Sequence, residues 1–244
     1  MQALSATEIL TVWERGAGQT LPQRALGLLT AASPDTTPDA LARLSIGQRD
    51  ARLLTLRAWM FSPRLAGLTN CPQCGEVVDL AFDTGEILTP REPDTMEEFS
   101  ITIEDYVVRF RLPASSDLAD LAEPADRATA RDQLLDRCFL AAQHNGGEIS
   151  VTELPTHIVV AVVDHMAQAD PQGDVQLALS CPSCKHGWQA TFDIVSFFWR
   201  EINAWAYRIL REVHTLAAAY GWSEADVLGM SAWRRQVYLE MVNT

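Results

Sequence analysis

Leu68-Thr-Asn-Cys-Pro-Gln-Cys-Gly75 and Leu179-Ser-Cys-Pro-Ser-Cys-Lys185 resemble each other, and together they hold four of the five cysteines of a 244-residue chain. Strand-like sequence follows each of them and ends in Phe-Asp, at Phe82-Asp83 and Phe192-Asp193, so the pair is an internal repeat. A Cys-x-x-Cys turn aims two thiolates at one ion, and two such turns complete a tetrahedral site with no open position. Proline after the first cysteine stiffens each turn, and Gly75 permits a left-handed backbone just past the second. In the second copy Lys185-His186 stand at that place and glycine is delayed to Gly187, which leaves the geometry of this turn open. Cys71, Cys74, Cys181 and Cys184 are therefore the candidate ligands of one structural Zn2+, and a closed site of this kind is structural rather than catalytic.

Two such pairs ordinarily lie about 15 to 20 residues apart. Here more than a hundred residues intervene. The two halves of a zinc ribbon would then be split by an insertion spanning residues 84–172. A thioredoxin-type redox pair wants its cysteines after a strand and at a helix start, whereas both pairs here precede strand-like sequence. Disulfides are disfavoured because paired cysteines in a chain of this size point to metal ligation in a reducing compartment, which implies cytoplasmic synthesis. His186 reads as a bystander or outer neighbour of the site, and Cys138 as a small buried residue.

Working outward, residues 1–64 read as short helices. Ser5 with Glu8 forms a capping-box pattern, Pro22 and Thr37-Pro38 mark further starts, and Ser45 opens a longer helix carrying Ala51, Leu54, Ala58 and Phe61 until Pro63 stops it. Strand alternation runs through Val78, Leu80 and Phe82, and a hairpin is expected from Phe99 to Ile103 and Tyr106 to Leu112, joined at Glu104-Asp105. Helices are expected from Ser116 through Leu118 and Leu121, from Ala128 to Gln143 with its end at Asn145-Gly-Gly147, and from Pro155 to Ala169. From Ser196 on, Phe198, Ile202, Trp205, Ile209, Val213, Leu216 and Tyr220 recur at steps of three and four, one continuous helical stripe that Gly221 ends. Ser223 and Ser231 cap two further helices, with Trp222 against Val227 as a staple. The fold class is α+β: a split zinc ribbon with a β-hairpin and an inserted helical segment, flanked by N-terminal and C-terminal helices. Its regions are 1–64, 65–196 and 197–244.

Hydrophobic residues make up 48% of the chain and charged ones 21%, the composition of a folded globular protein. A net charge of −13 repels phosphate backbones and anionic lipid, so nucleic acid is an unfavoured partner and a basic protein surface a favoured one. No apolar run approaches the roughly 20 residues that span a bilayer, and Met1 to Leu10 carries no basic region ahead of an apolar stretch, so neither a membrane anchor nor a cleavable export signal is expected. Asp164-His165 and Glu212-Val-His214 pair a carboxylate with a histidine, but residues one or two apart on a helix point in different directions, and no phosphate loop or nucleophile elbow accompanies them. The chain is not expected to be an enzyme. Trp199, Trp205, Trp222, Trp233 and Tyr238 crowd the C-terminal helices, which cannot hide every ring inside themselves; they are the candidate partner-binding residues, although core packing is the favoured role for Trp205.

Four segments resemble the baseplate-hub assembly proteins of T-even-like phages, which bacterial contractile injection clusters also encode. They are Ala6-Thr-Glu-Ile-Leu with Trp13-Glu-Arg-Gly16, Tyr106 to Leu121 including Arg109-Phe-Arg-Leu-Pro113, Cys181 to Trp188, and Phe192 through Tyr238. The resemblance implies a non-enzymatic role in building the baseplate hub of a contractile tail, with hub, tube or other tail proteins as partners and the four paired cysteines as metal ligands. It also allows the protein either to leave or to stay in the finished particle. The rival reading from the residues is a zinc-ribbon adaptor for nucleic acid or transcription, which the charge opposes. A thiol oxidoreductase using one Cys-x-x-Cys pair is the third.

Overall fold

The computed structural model describes residues 1–89, 98–119 and 126–242. In chain order the elements are α1 (Ala6–Arg15), α2 (Leu21–Ala32), α3 (Pro38–Ala42), α4 (Ile46–Met60), β1 (Arg64–Asn70), β2 (Val77–Asp83), α5 (Thr84–Ile87), β3 (Glu98–Ile103) and β4 (Tyr106–Arg111). After them come α6 (Ser115–Ala119), α7 (Arg127–Cys138), β5 (Phe139–His144), β6 (Gly147–Ile149), α8 (Thr156–Ala169), β7 (Gln176–Ser180), β8 (Gly187–Thr191), α9 (Ile194–Tyr220), α10 (Glu224–Leu228) and α11 (Ala232–Val242). The fold is mixed α+β, with three small antiparallel sheets among the described residues and flanking helices. Packing divides the chain into two units, one made of Met1–Pro34 with Val195–Thr244 and the other of Asp35–Ile194.

In the first unit, local chemistry sets the helix ends. Ser5 and Glu8 close a reciprocal box, with Ser5 N–H donating to the Glu8 carboxylate at 2.8 Å and Glu8 N–H to Ser5 Oγ at 3.3 Å. Ser223 and Asp226 do the same at the start of α10. The core joins Leu10 to Ala206, Ile209, Val213, Leu216, Val227 and Leu228, with Trp13, Trp205, Trp222, Tyr238 and Leu239 packed at its margin. Five members of the α9 stripe, Phe198, Ile202, Ile209, Val213 and Leu216, are buried as a helical period requires. Trp205 is half-buried and Tyr220 exposed, and Ala206 takes a fully buried place between them. The Trp13 indole N–H donates to Asn203 Oδ1 at 3.0 Å, which ties α1 to α9.

In the second unit, the expected two-stranded hairpin is half of a four-stranded sheet ordered β3-β4-β5-β6. The helix expected over 128–143 stops at Cys138, and residues 139–144 form β5 instead. Its apolar run is short enough to suit either period, and β4 decides between them. Val108 faces Ala142 and Phe110 faces Phe139 across the ladder, and all four are buried. Asn145 (φ 52°) and Gly146 (φ 78°), read from sequence as a helix end, are the left-handed turn that reverses the chain into β6. Helix α8 lays Ile158, Val162 and Met166 on this sheet, in one cluster with Leu135, Cys138 and Leu154. Burial pushes the Cys138 thiol up to about 11, so it packs as a small neutral residue. Leu121, expected in a helix with Leu118, lies outside the described residues.

Two polar devices brace this unit. Ser45 and Gln48 cap α4, and the Asp170 carboxylate, 123 positions away, accepts the buried Gly47 N–H at 2.9 Å, so the helix start is held by a distant loop. Helix α4 buries Leu53, Leu54 and Leu56 together with Arg49 and Arg57, a broader buried surface than the stripe of Ala51, Leu54, Ala58 and Phe61. At the exit of β4, Arg111 donates two hydrogen bonds to Asp117, at 2.6 and 2.7 Å, and Ala114 N–H donates to the same carboxylate at 2.8 Å.

Candidate metal centre

Strands β1 and β2 pair antiparallel from Arg64 opposite Asp83 to Asn70 opposite Val77, so the ladder delivers Cys71 at its turn end. There Cys71 N–H donates to Glu76 O at 2.8 Å and Gly75 N–H to Cys71 O at 2.9 Å, with Gly75 at φ 77°. Strands β7 and β8 repeat the arrangement, with Ser180 opposite Gly187, Cys181 N–H on His186 O at 2.9 Å and Lys185 N–H on Cys181 O at 3.0 Å. Lys185 takes Gly75's place at φ 62°, and its ammonium donates to Pro182 O at 2.9 Å. The two knuckles therefore share one geometry, which the second reaches with a side chain in the left-handed region at a cost of about 1 kcal/mol. Accordingly, Gly75→Ala should lower stability by about 1 kcal/mol and Lys185→Gly should raise it by up to about the same amount, measured by chemical denaturation. An added Cβ at Gly75 meets nothing within 4 Å, so only the backbone angle opposes it.

The knuckles face each other. Cys71 Sγ lies 3.7 Å from Cys184 Sγ and Cys74 Sγ 3.6 Å from Cys181 Sγ, and all four sulfur atoms fall within 4.8 Å of one another. Exchanging one copy of the repeat for the other maps each of these two pairs onto the other. A disulfide requires about 2.05 Å, and all five cysteines are free. Four sulfurs held about 2.3 Å from one tetrahedral ion would be about 3.8 Å apart, the spacing of the two close pairs. The four atoms can hold one metal ion.

Burial of the site is uneven. Cys71 and Cys181 are buried with Val78 and Trp188, while Cys74 and Cys184 reach solvent. Burial would raise the Cys71 thiol, but the backbone N–H groups of Cys74 and Gln73 and donation from Cys74 and Cys184 outweigh it, bringing Cys71 down to about 7. The Glu76 N–H favours the Cys74 thiolate, yet hydrogen bonds to Cys184, Cys181 and Cys71, aided by desolvation, keep this thiol protonated and push it up to about 12. Four thiolates cannot gather here without a cation to balance them. His186 stacks on Trp188, with ring planes 7° apart. At the far end of the repeat Phe82 meets Phe192 edge to face at 5.5 Å, so the two Phe-Asp endings close on each other.

The aromatic residues singled out from sequence have different fates. Trp199 is only 8% exposed, with Arg24 4.7 Å above its ring and Gly16 so close that an added Cβ would lie 2.1 Å from the indole. Trp205 is half-buried at the core margin. Trp222 stacks on Tyr220 at 4.5 Å and meets Tyr238 edge-on at 4.8 Å, so Tyr220, the last residue of the α9 stripe, joins this aromatic group while staying exposed. Trp233 is 78% exposed on α11. An open cleft of about 570 Å³ is lined by Trp222, Ala225, Asp226, Gly229, Met230 and Arg234, the last of these the next residue after Trp233 on α11. The two carboxylate–histidine pairs have other employment, since Arg235 holds Glu212 at 2.9 Å and the His165 ring lies edge-on to Phe99 and Phe110.

These observations define a mixed α+β protein that carries a four-cysteine cluster. The family model described as T4 bacteriophage base plate protein matches residues 27–199, more than half of the chain, and the chain belongs to this family. Its role is accordingly structural, in association with other base plate or tail proteins. Among curated proteins and solved structures nothing matches the chain. Among the described residues no helix is long and apolar enough to cross a membrane.

Proposed function

We propose that the protein is a non-enzymatic, zinc-organised assembly protein of the baseplate hub, in a contractile phage tail or a contractile injection system. The observation that carries this reading is the family match over residues 27–199. The sulfur cluster adds the means: Cys71, Cys74, Cys181 and Cys184 are the ligands, and β1, β2, β7 and β8 are the two halves of one split zinc ribbon. Zn2+ suits the site because soft thiolates at tetrahedral spacing favour it, and a closed site supplies folding energy rather than chemistry. The ribbon carries the segment between its halves as an insertion. Trp233 and the adjoining cleft, with Trp222 and Tyr238, form a contact surface for another tail protein.

The experiment is mass spectrometry of purified particles beside a pull-down from the producing cell. Presence in both makes the protein a retained component, presence in the pull-down alone makes it a transient chaperone, and absence from both removes the proposal. Deleting residues 197–244 would strip Phe198, Ile202 and Leu216 from the buried interior, so a surface variant is the cleaner probe of contact. Trp233→Ala should keep the helical signal of the wild type while weakening recovery with tail proteins by roughly tenfold.

A further inference from the structure

The internal repeat contains its own control. Outward positions of the first hairpin are Ala66, Leu68, Asn70, Val77, Asp79 and Ala81, and the matching positions of the second, in the same register, are Gln176, Ala178, Ser180, Gly187, Gln189 and Thr191. Both hairpins perform one structural task, which is to present two cysteines. A requirement of that task would put the same chemistry on both outer faces. Instead the first face carries Leu68 at 69% exposure and Val77 at 55%, where the second has Ala178 and Gly187. Single exposed apolar residues are ordinary. These two are diagonal neighbours on one face, since Leu68 pairs with Asp79 and Val77 with Asn70, and Ala66 opposite Ala81 extends the strip.

Charge indicates what covers it. Arginines and acidic residues balance at seven each in the unit formed by 1–34 and 195–244, so the whole −13 resides in residues 35–194. Glu76, Asp79 and Asp83 are exposed on this hairpin, against one basic side chain, Arg64. A second copy would set acid against acid, and nucleic acid would be repelled. We infer that the outer face of the first hairpin is a docking surface for a base plate or tail protein that presents an apolar anchor flanked by arginine or lysine. The inference rests on the assembly reading above and adds the surface and the chemistry of the partner.

The test places a photo-crosslinking phenylalanine analogue at position 68, and in a separate chain at position 178, during particle assembly. Capture from 68 alone, of one tail protein through a peptide with basic residues beside an apolar one, is the expected result. In parallel, Leu68→Gln with Val77→Thr gives the first face the polarity of the second while keeping strand-forming residues. This variant should match the wild type in bound metal and circular dichroism and join particles at least about tenfold less. Equal capture from 178, capture of a second copy of this chain, or wild-type incorporation of the double variant overturns the inference. A protein found in particles that gives no crosslink from 68 loses this surface and keeps its assembly role; one absent from particles and pull-down alike loses both.

Discussion

Cys71→Ser combined with Cys181→Ser should yield protein without bound zinc and with its two cysteine hairpins separated. The physical reason is that the apolar cluster they share is small. Among the described residues its buried members are Cys71, Val78 and Cys181, with Trp188 against them, and Phe82 meets Phe192 at the far end. A lone two-stranded hairpin is marginal in water. Binding of a structural Zn2+ by thiolates is worth about 10–16 kcal/mol at pH 7, comparable to the whole stability of a domain, so this is the largest effect expected in the molecule. Elemental analysis should find one zinc per wild-type chain and none in the variant. Hydrogen exchange should lose protection across residues 64–83 and 176–191 while the α8-covered sheet keeps its own. Treating the wild type with a strong chelator should do the same and shift Trp188 fluorescence. Metal-free wild-type protein with unchanged exchange would remove zinc from the account.

Asp117→Ala should cost about 2–3 kcal/mol, less than removing one partner of a fully buried pair, because the Arg111 side chain is 30% exposed. Asp117 is 4% exposed, and its carboxylate serves both the Arg111 guanidinium and the Ala114 N–H. Alanine leaves a partly buried cation and a buried donor without an acceptor. Asp117→Asn keeps an oxygen for Ala114 and should lose less, so the order wild type, Asn, Ala in urea midpoints separates charge from hydrogen bonding. Burial alone would raise the Asp117 carboxyl, but the Arg111 hydrogen bonds, the Ala114 N–H and the charges of Arg111 and Arg137 hold it below its usual value. The folded pKa therefore lies below the unfolded one of about 3.9. The stabilisation is complete above that unfolded value and is lost as pH falls through the folded one, so the difference between wild type and Asp117→Asn should shrink below about pH 4. A difference independent of pH would point to packing instead.

Much of the local structure was legible in the residues. The helix starts at Ser5, Thr37, Ser45 and Ser223 form their caps in the structure, because a cap is satisfied within three or four positions. Residues 139–144 were not legible as a strand. Phe139 and Ala142 satisfy a helix as well as a ladder until β4 lies beside them, and Asn145-Gly146 can end a helix or reverse a hairpin. Among the tryptophans, Trp199 and Trp233 both sit on helices rich in arginine. Gly16 and Arg24, more than 170 positions away, lie against the buried ring, and a short window of sequence holds neither.

Two cysteines per knuckle, proline after the first, and the repeated Phe-Asp ending were determined by sequence alone, because a turn that presents two sulfurs is a local object of a few residues. That Lys185 could serve in place of glycine, that the hairpin would recruit β5 and β6, and that four sulfurs from knuckles more than a hundred residues apart would gather within 4.8 Å of one another were decided only by tertiary structure. Those outcomes depend on pairings between residues that are distant in the chain, and no pattern within a short window carries them.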